Sequence, residues 1–297
     1  MSKHITTLNQ KQVFASFPKR PRDSHKGLFG TVAVIGGATG MSGAPLLAAR
    51  AALKLGAGCV HVGLLAENAP GVDMQQPELM LHKAADLLRP HPNPPPKGEG
   101  ANVRGMFNPD VLAIGCGMGT SIAAQKLLYD ALMCDTALVI DADALNLLAR
   151  QPDLQDDLRI RRAASVLTPH PGEAARLLDC DIKEIQAYRV AAVRELEQKF
   201  ACSVVLKGAD SLCATRDGKI YLNKTGNPGM SSAGMGDVLT GMIAAFIAQG
   251  MSADDALLLA VYLHGAAGDA LAKQGISVGM TASDVTEWAR WLLNQWH

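Results

Sequence analysis

Short apolar runs that end in glycine- or aspartate-bearing loops, each followed by a helix-forming segment, recur along this 297-residue chain. Residues 31–35 (TVAVI) run into GGATGMSG, and an Ala/Leu-rich segment from Ser42 to Lys54 follows until Gly56 and Gly58 stop it. The order repeats with CVHVGLL at 59–65, with DVLAI at 110–114 before GCGMG and a helix over 121–133, and with ALVID at 137–141. Such alternation forces parallel pairing, because parallel neighbours need a long crossover that a helix supplies. SVLT at 165–168, a helix near 172–178, a longer helix over 182–199 and SVVLK at 203–207 continue it. In the longer helix Ile182, Ile185, Val193 and Leu196 share one face. SLCAT and KIYLN flank Arg216-Asp217-Gly218, so an antiparallel hairpin is expected at one edge of the sheet. Three helices, over 236–249, 253–273 and 281–296, finish the chain, and no repeat of solenoid period is present. The fold class expected is α/β with a mostly parallel sheet.

Composition narrows the function classes. Lys plus Arg number 28 and Asp plus Glu number 28, and this balance argues against partners such as nucleic acid or an anionic membrane, which call for a basic excess. The 48% hydrophobic fraction supplies a sizeable core, and with only 4% aromatic residues that core is aliphatic. The six cysteines form no C-x-x-C pair and no zinc spacing, and read as small buried hydrophobes in a reducing compartment. The N-terminus has no apolar signal region, and the apolar stretches near 242–248 and 256–263 look too short for a bilayer span, so a cytoplasmic location is expected. Residues 89–105 (RPHPNPPPKGEGANVRG) read as a flexible surface insertion in one domain spanning 1–297, with a minimal P-x-x-P ligand as the alternative.

Four loops carry the candidate chemistry. Gly36 to Gly43 follows a strand and opens a helix, where backbone N–H groups attract anions, but it fits neither the Walker nor the dinucleotide pattern. Residues 227–237 (NPGMSSAGMGD) lead directly into an amphipathic helix, so the amides of Gly234, Met235 and Gly236 can converge on an oxyanion. Asp237 in its first turn can take a proton from a hydroxyl during phosphoryl transfer, or can simply cap the helix. Thr168-Pro169-His170-Pro171-Gly172-Glu173 lies at a strand's C-terminal end, the edge where open α/β sheets bind ligands. Asp141 and Asp143 close another strand and can hold Mg²⁺, unless Asp143 only caps the helix that starts at Ala144. Lys207-Gly208-Ala209-Asp210-Ser211 offers a cation and flexible backbone for a nucleotide.

Together with HKGLFGTVAVIGG, MSGAPLLAARAALKLGAG, DADALNLL and VYLHGAAGD, these segments resemble the ADP/ATP-dependent NAD(P)H-hydrate dehydratases of the ribokinase-like superfamily, in the family's order over about residues 25–270. The resemblance implies a three-layer α/β/α sandwich. It also implies repair of hydrated NADH or NADPH (NADHX, NADPHX), coupled to hydrolysis of ADP or ATP with Mg²⁺. By the family's motifs Asp237 is catalytic and meets the hydrated nucleotide, as do Ala44, Gly117 and His170. Lys207, Gly208, Ala209, Asp210, Ser211 and Gly236 match adenine-nucleotide positions, Gly234, Met235 and Gly236 the anion hole, and Glu173 a position near Mg²⁺. The resemblance further implies a homotetramer that works with a separate epimerase. Two departures stand out: Gly115-Cys116-Gly117 replaces the family's Gly-Pro-Gly, and Gly234-Met235-Gly236-Asp237 its Gly-Thr-Gly-Asp. The alternative within the superfamily is a kinase acting on a vitamin-precursor alcohol, which would need the same turn and the same Asp.

Overall fold

The computed structural model describes residues 5–88 and 108–297, so the Pro-rich segment singled out above lies outside the described residues. Ten strands are present among them: β1 (Ile5–Thr7), β2 (Thr31–Gly36), β3 (Cys59–Leu64), β4 (Met80–Lys83), β5 (Val111–Ile114), β6 (Ala137–Ile140), β7 (Ser165–Leu167), β8 (Ser203–Leu206), β9 (Leu212–Ala214) and β10 (Ile220–Leu222). The helices are α1 (Gln10–Phe14), α2 (Gly43–Lys54), α3 (Ala84–Leu87), α4 (Ile122–Met133), α5 (Ala142–Arg150), α6 (Pro152–Arg159), α7 (Pro171–Leu178), α8 (Ile182–Ala187), α9 (Arg189–Phe200), α10 (Met235–Ala248), α11 (Ala253–Lys273) and α12 (Ala282–Trp296).

All ten strands join one sheet in the order β1-β10-β9-β8-β7-β6-β5-β2-β3-β4. Its centre is parallel, and only β8–β9 and β9–β10 pair antiparallel. Successive strand residues face opposite sides, which makes two cores. Val32, Val34 and Val139 pack with α2, α10, α11 and α12 on one face. Ala33, Ile35, Leu138 and Ile140 pack with α4 to α9 on the other. Helices on both faces of a mostly parallel sheet give the three layers expected.

The structure corrects three expectations. The β9–β10 hairpin forms but is not the edge, because β1 adds in parallel to β10 through Ile5↔Ile220 to Thr7↔Leu222. The helix expected over 182–199 is broken at Tyr188 (φ −126°, ψ 43°) into α8 and α9, which leaves Ile182 half exposed while Ile185, Val193 and Leu196 stay buried. The 21-residue α11 is long and apolar enough by composition to cross a bilayer, contrary to the sequence estimate, yet 61% of its most apolar window is buried in the protein, as befits a core helix.

The chain runs β2 to β4 toward one side of the sheet and β5 to β8 toward the other, so the connections diverge between β2 and β5. At such a switch point the loops leaving the strands separate and open a crevice at their carboxyl ends. Here the two loops touch: a Cβ on Gly36 would lie 2.1 Å from the carbonyl oxygen of Cys116, and the Gly37 amide donates to that same oxygen at 3.1 Å.

Candidate active site

The crevice is built from loops leaving β2, β5, β6, β7 and β8, together with the N-terminus of α10. Gly117, with φ +56°, brings its Cα so close to α2 that a Cβ would meet the Met41 carbonyl at 2.8 Å and the Ala44 Cβ at 3.2 Å. The structure therefore joins Ala44 and Gly117 into one wall. The next position back, Cys116, is buried with its thiol within 4.8 Å of the Asp237 carboxylate, so this wall continues into the turn that starts α10.

Gly234 sits in the left-handed region (φ 88°) as the N-cap of α10, which makes Asp237 the third helical residue and not the cap. The amides of Met235, Gly236 and Asp237 have no carbonyl partner within the helix and stand at the positive end of its dipole. Gly236 lies close against the same groups: a Cβ there would stand 3.3 Å from Lys207 Nζ and 3.6 Å from Asp141 Oδ2. Asp237 is held in a partly buried position where desolvation, reinforced by Asp141 and Asp143, pushes its carboxyl up to about 6, against the opposing pull of Cys116 and Lys207.

Asp141 is the N-cap residue of α5 by backbone, but its side chain makes no cap bond. Instead Oδ1 accepts from Lys207 Nζ at 2.8 Å and Oδ2 from Thr240 Oγ1 at 2.9 Å, both in the interior. Burial works against its ionisation, yet Lys207 and these hydrogen bonds hold it below the ordinary carboxylate range, and Lys207 is raised in turn. Asp143 does not cap the helix either; its Oδ2 accepts from the Gly119 amide at 2.8 Å and so anchors the loop after β5. Capping thus explains neither carboxylate.

His170 and Glu173 form a reciprocal cap on α7. His170 Nδ1 accepts from the Gly172 and Glu173 amides at 3.0 and 3.3 Å, and Glu173 Oε2 accepts from the His170 amide at 2.8 Å. The other ring nitrogen, Nε2, lies 3.2 Å from Glu173 Oε1. A neutral ring bonded in this way carries its proton on Nε2, and burial together with Lys207 lowers its affinity for a second one. Neither nitrogen is left to act as a base, so His170 can meet a ligand through its half-exposed ring. Glu173 is buried 3.8 Å from Lys207, and burial raises its carboxyl.

Lys207 is the hub of this end of the crevice, facing Asp141, Glu173 and Gly236. Beyond it the chain turns through Gly208 (φ +134°), Ala209 and Asp210 (φ +54°), and Ser211 Oγ closes the turn on the Gly208 carbonyl at 2.9 Å. Arg189 holds that turn from α9 by donating to the carbonyls of Leu206, Lys207 and Asp210 at 3.3 to 3.4 Å. The segment borders a cavity of about 530 Å³ that also reaches Asn227, Met235, Gly236 and His264. Lys207, Gly236 and the turn to Ser211 therefore line one cavity, while Ala44, Gly117 and His170 lie outside its lining. Asp237 stands at the helix start that borders it.

Cys116, Asp141 and Asp237 place possible metal-ligand atoms within 4.8 Å of one another. Burial and the two carboxylates raise the Cys116 thiol well above its usual value, so it stays protonated and soft. Sequence inspection missed Cys116, Thr240, Arg189 and His264. The first departs visibly from a Gly-Pro-Gly loop, whereas the others are single residues on helices whose facing partners no local pattern reveals. All six cysteines are free thiols, three of them buried (Cys116, Cys202, Cys213) and three only partly so.

The sequence model of the NAD(P)H-hydrate dehydratase family matches residues 32–290. An ADP-dependent (S)-NAD(P)H-hydrate dehydratase from Neisseria meningitidis is 42% identical over 94% of this chain and 90% of its own. A bifunctional NAD(P)H-hydrate repair enzyme from Coxiella burnetii is 40% identical over 97% of this chain, which spans only 55% of that longer protein. Among solved structures, an ADP/ATP-dependent NAD(P)H-hydrate dehydratase from Bacillus subtilis, co-crystallised with ATP/Mg²⁺, superposes with a TM-score of 0.84 at 27% identity and covers 99% of both chains.

Proposed function

The chain belongs to the NAD(P)H-hydrate dehydratase family, and from that premise we propose that it is a lyase that restores hydrated NADH or NADPH at the expense of a nucleoside diphosphate or triphosphate. The observation that carries this is Asp237: a carboxylate pushed up to about 6, at the start of α10, between the Ala44–Gly117 wall and the cavity beside Lys207. A base with that proton affinity is ionised at neutral pH and still able to accept a proton. We assign the hydrated nicotinamide to the side of Ala44, Gly117 and the His170 ring. The adenine nucleotide is assigned to Lys207, Gly208, Ala209, Asp210, Ser211 and Gly236.

Asp237 takes the proton of the ring hydroxyl, and that oxygen attacks the terminal phosphoryl group while the bond to the departing nucleotide breaks. The amides of Met235, Gly236 and Asp237 and the Lys207 ammonium offset the charge that develops. The ring hydroxyl has then become a phosphate ester, a far better leaving group. The ring nitrogen lone pair expels it, a proton leaves the adjacent carbon, and the double bond returns. Glu173, beside Lys207, is the hard oxygen donor that would suit a Mg²⁺ arriving with the nucleotide, and the protonated Cys116 thiol would not. When bound, the ion supplies further neutralisation of phosphate charge.

We take the whole chain as one catalytic unit with ADP as the donor, acting in the cytoplasm as a homotetramer beside an epimerase carried on another protein. The test is to mix the protein with hydrated NADH, Mg²⁺ and either ADP or ATP, and to follow recovery of NADH absorbance with release of inorganic phosphate. Nucleotide-dependent recovery of both signals is the expected result and names the donor. A stable phosphorylated product without recovery would overturn the dehydration step and return the chain to small-molecule kinases.

A further inference from the structure

Besides the turn from Lys207 to Ser211, the cavity of about 530 Å³ is walled by the loop after β10, through Thr225, Gly226, Asn227, Pro228 and Met230. The same loop runs on into the glycine turn that starts α10. Apart from the 3₁₀ turn Pro228–Met230 it has no regular structure, and at Gly226 its backbone enters the left-handed region (φ +104°). Contacts from outside must therefore set its position, and they come from α11. Asp269 Oδ2 accepts from the Gly226 amide at 2.9 Å, and Oδ1 accepts from Asn227 Nδ2 at 3.0 Å. Asn227 Oδ1 in turn accepts from the Gly229 amide at 3.0 Å and so starts the 3₁₀ turn. A carboxylate only accepts and a backbone N–H only donates, so these partners fix which way the Asn227 amide points. Packing lays the loop on the same helix: a Cβ on Gly265 would lie 2.2 Å from Thr225 Oγ1, and one on Gly268 2.2 Å from Met230 Sδ.

Asp269 itself lies outside the cavity lining, so it acts through the groups it holds. We infer that Asp269 is a positioning residue for nucleotide binding: by fixing the Gly226 backbone and the Asn227 amide together, it keeps the loop after β10 in the shape that receives the adenine nucleotide. This rests on the assignment of that cavity to the nucleotide. The three hydrogen bonds form a chain in which carboxylate and amide can change places. Asp269→Asn alone sets one N–H donor against another whichever way either amide is turned, and Asn227→Asp alone sets two carboxylates against each other. With both substitutions present, the new amide donates to the new carboxylate and its oxygen accepts from Gly226, while the carboxylate's second oxygen accepts from Gly229. All three bonds then return with the net charge unchanged.

The experiment is calorimetric titration of ADP with Mg²⁺ into the wild-type protein, the two single variants and the exchanged pair, with KM for ADP and for hydrated NADH and apo melting temperatures measured alongside. Each single variant is expected to bind ADP about tenfold more weakly and to raise the KM for ADP to match, with the KM for hydrated NADH within about twofold of wild type. The exchanged pair is expected to recover ADP affinity to within about threefold of wild type. Asp269→Ala, which removes the acceptors and lets water reach the freed donors, gives the same comparison should the mismatched variants fail to fold. A merely structural Asp269 would lower the melting temperatures and leave the ADP affinity and both KM values unchanged. Single variants that weaken ADP without recovery in the exchanged pair would rule out the hydrogen-bond chain as the means. Either result overturns the inference alone. A raised KM for hydrated NADH with ADP affinity unchanged, or no ADP binding by the wild type, would overturn the nucleotide assignment and this inference with it.

Discussion

Asp237→Asn separates the cost of a catalytic carboxylate from its use. In the folded protein this carboxyl is pushed from 3.8 up to about 6 by burial and by Asp141 and Asp143. The folded state therefore holds its proton more tightly than the unfolded chain, and stability falls as pH rises through the interval between the two values. A shift of roughly two units at about 1.4 kcal/mol each makes ionised Asp237 a burden of about 3 kcal/mol at pH about 8. Linkage reduces that burden to about half at pH about 5 and to a small residue near pH about 4, where the folded carboxyl is protonated and the unfolded one still about half ionised. Asn keeps the shape and removes the charge, so the variant gains what the wild type loses. Urea unfolding of both proteins across this range is expected to show a variant more stable by about 2 to 3 kcal/mol at pH about 8, with the gain shrinking as the pH is lowered. The same variant is expected to lose turnover by about 10²- to 10⁴-fold, and wild-type kcat/KM to rise with pH through about 6 as the base ionises. A variant no more stable than wild type at pH about 8, or a gain that ignores pH, would refute the electrostatic account of this residue.

Other perturbations probe the scaffold around it. Asp141→Asn takes the carboxylate away from the buried Lys207 ammonium, 2.8 Å distant, and is expected to cost about 3 to 5 kcal/mol in urea denaturation. Because that carboxyl is held below its ordinary value, the wild-type advantage should persist from neutral pH down to the ordinary carboxylate range and disappear as the pH falls further. Gly241→Ala would drive a Cβ to 2.0 Å from the Ala48 carbonyl oxygen where α10 crosses α2; backbone on both sides cannot yield, so a loss of about 3 kcal/mol or insoluble protein is expected on expression and melting. His170→Ala removes the acceptor for two α7 amides and is expected to cost about 1 kcal/mol by the same unfolding assay, while His170→Asn, which retains a short acceptor, recovers most of it.

The layer order was legible because each strand of the parallel centre is short, apolar and followed by a loop the backbone must turn sharply, and these cues are local. What stayed hidden depends on contacts made at a distance. β1 is three residues with no buried side chain, so no apolar pattern announces it, and it exists through its pairing with β10. The break at Tyr188 carries no Gly or Pro; what distinguishes it is Arg189, whose guanidinium must sit beside the carbonyls of Leu206, Lys207 and Asp210. An unbroken helix over 182–199 satisfies periodicity but not that requirement, so the tertiary demand prevails over propensity.

The two aspartates that close β6 show the same division at the site itself. Spacing made both of them candidates and offered a helix cap as the plain explanation, yet neither side chain caps. Asp141 reaches 66 residues along the chain to Lys207 and 99 residues to Thr240, a distribution of partners fixed only once β6, β8 and α10 converge. Asp237 was recognisable because a glycine turn at a helix start is a local signature of anion chemistry. Its proton affinity was not, since burial and the negative charge of Asp141 and Asp143 arrive from other segments. Sequence thus locates the groups that act, whereas the fold decides which of them are charged, which are spent on structure, and which are left free for a ligand.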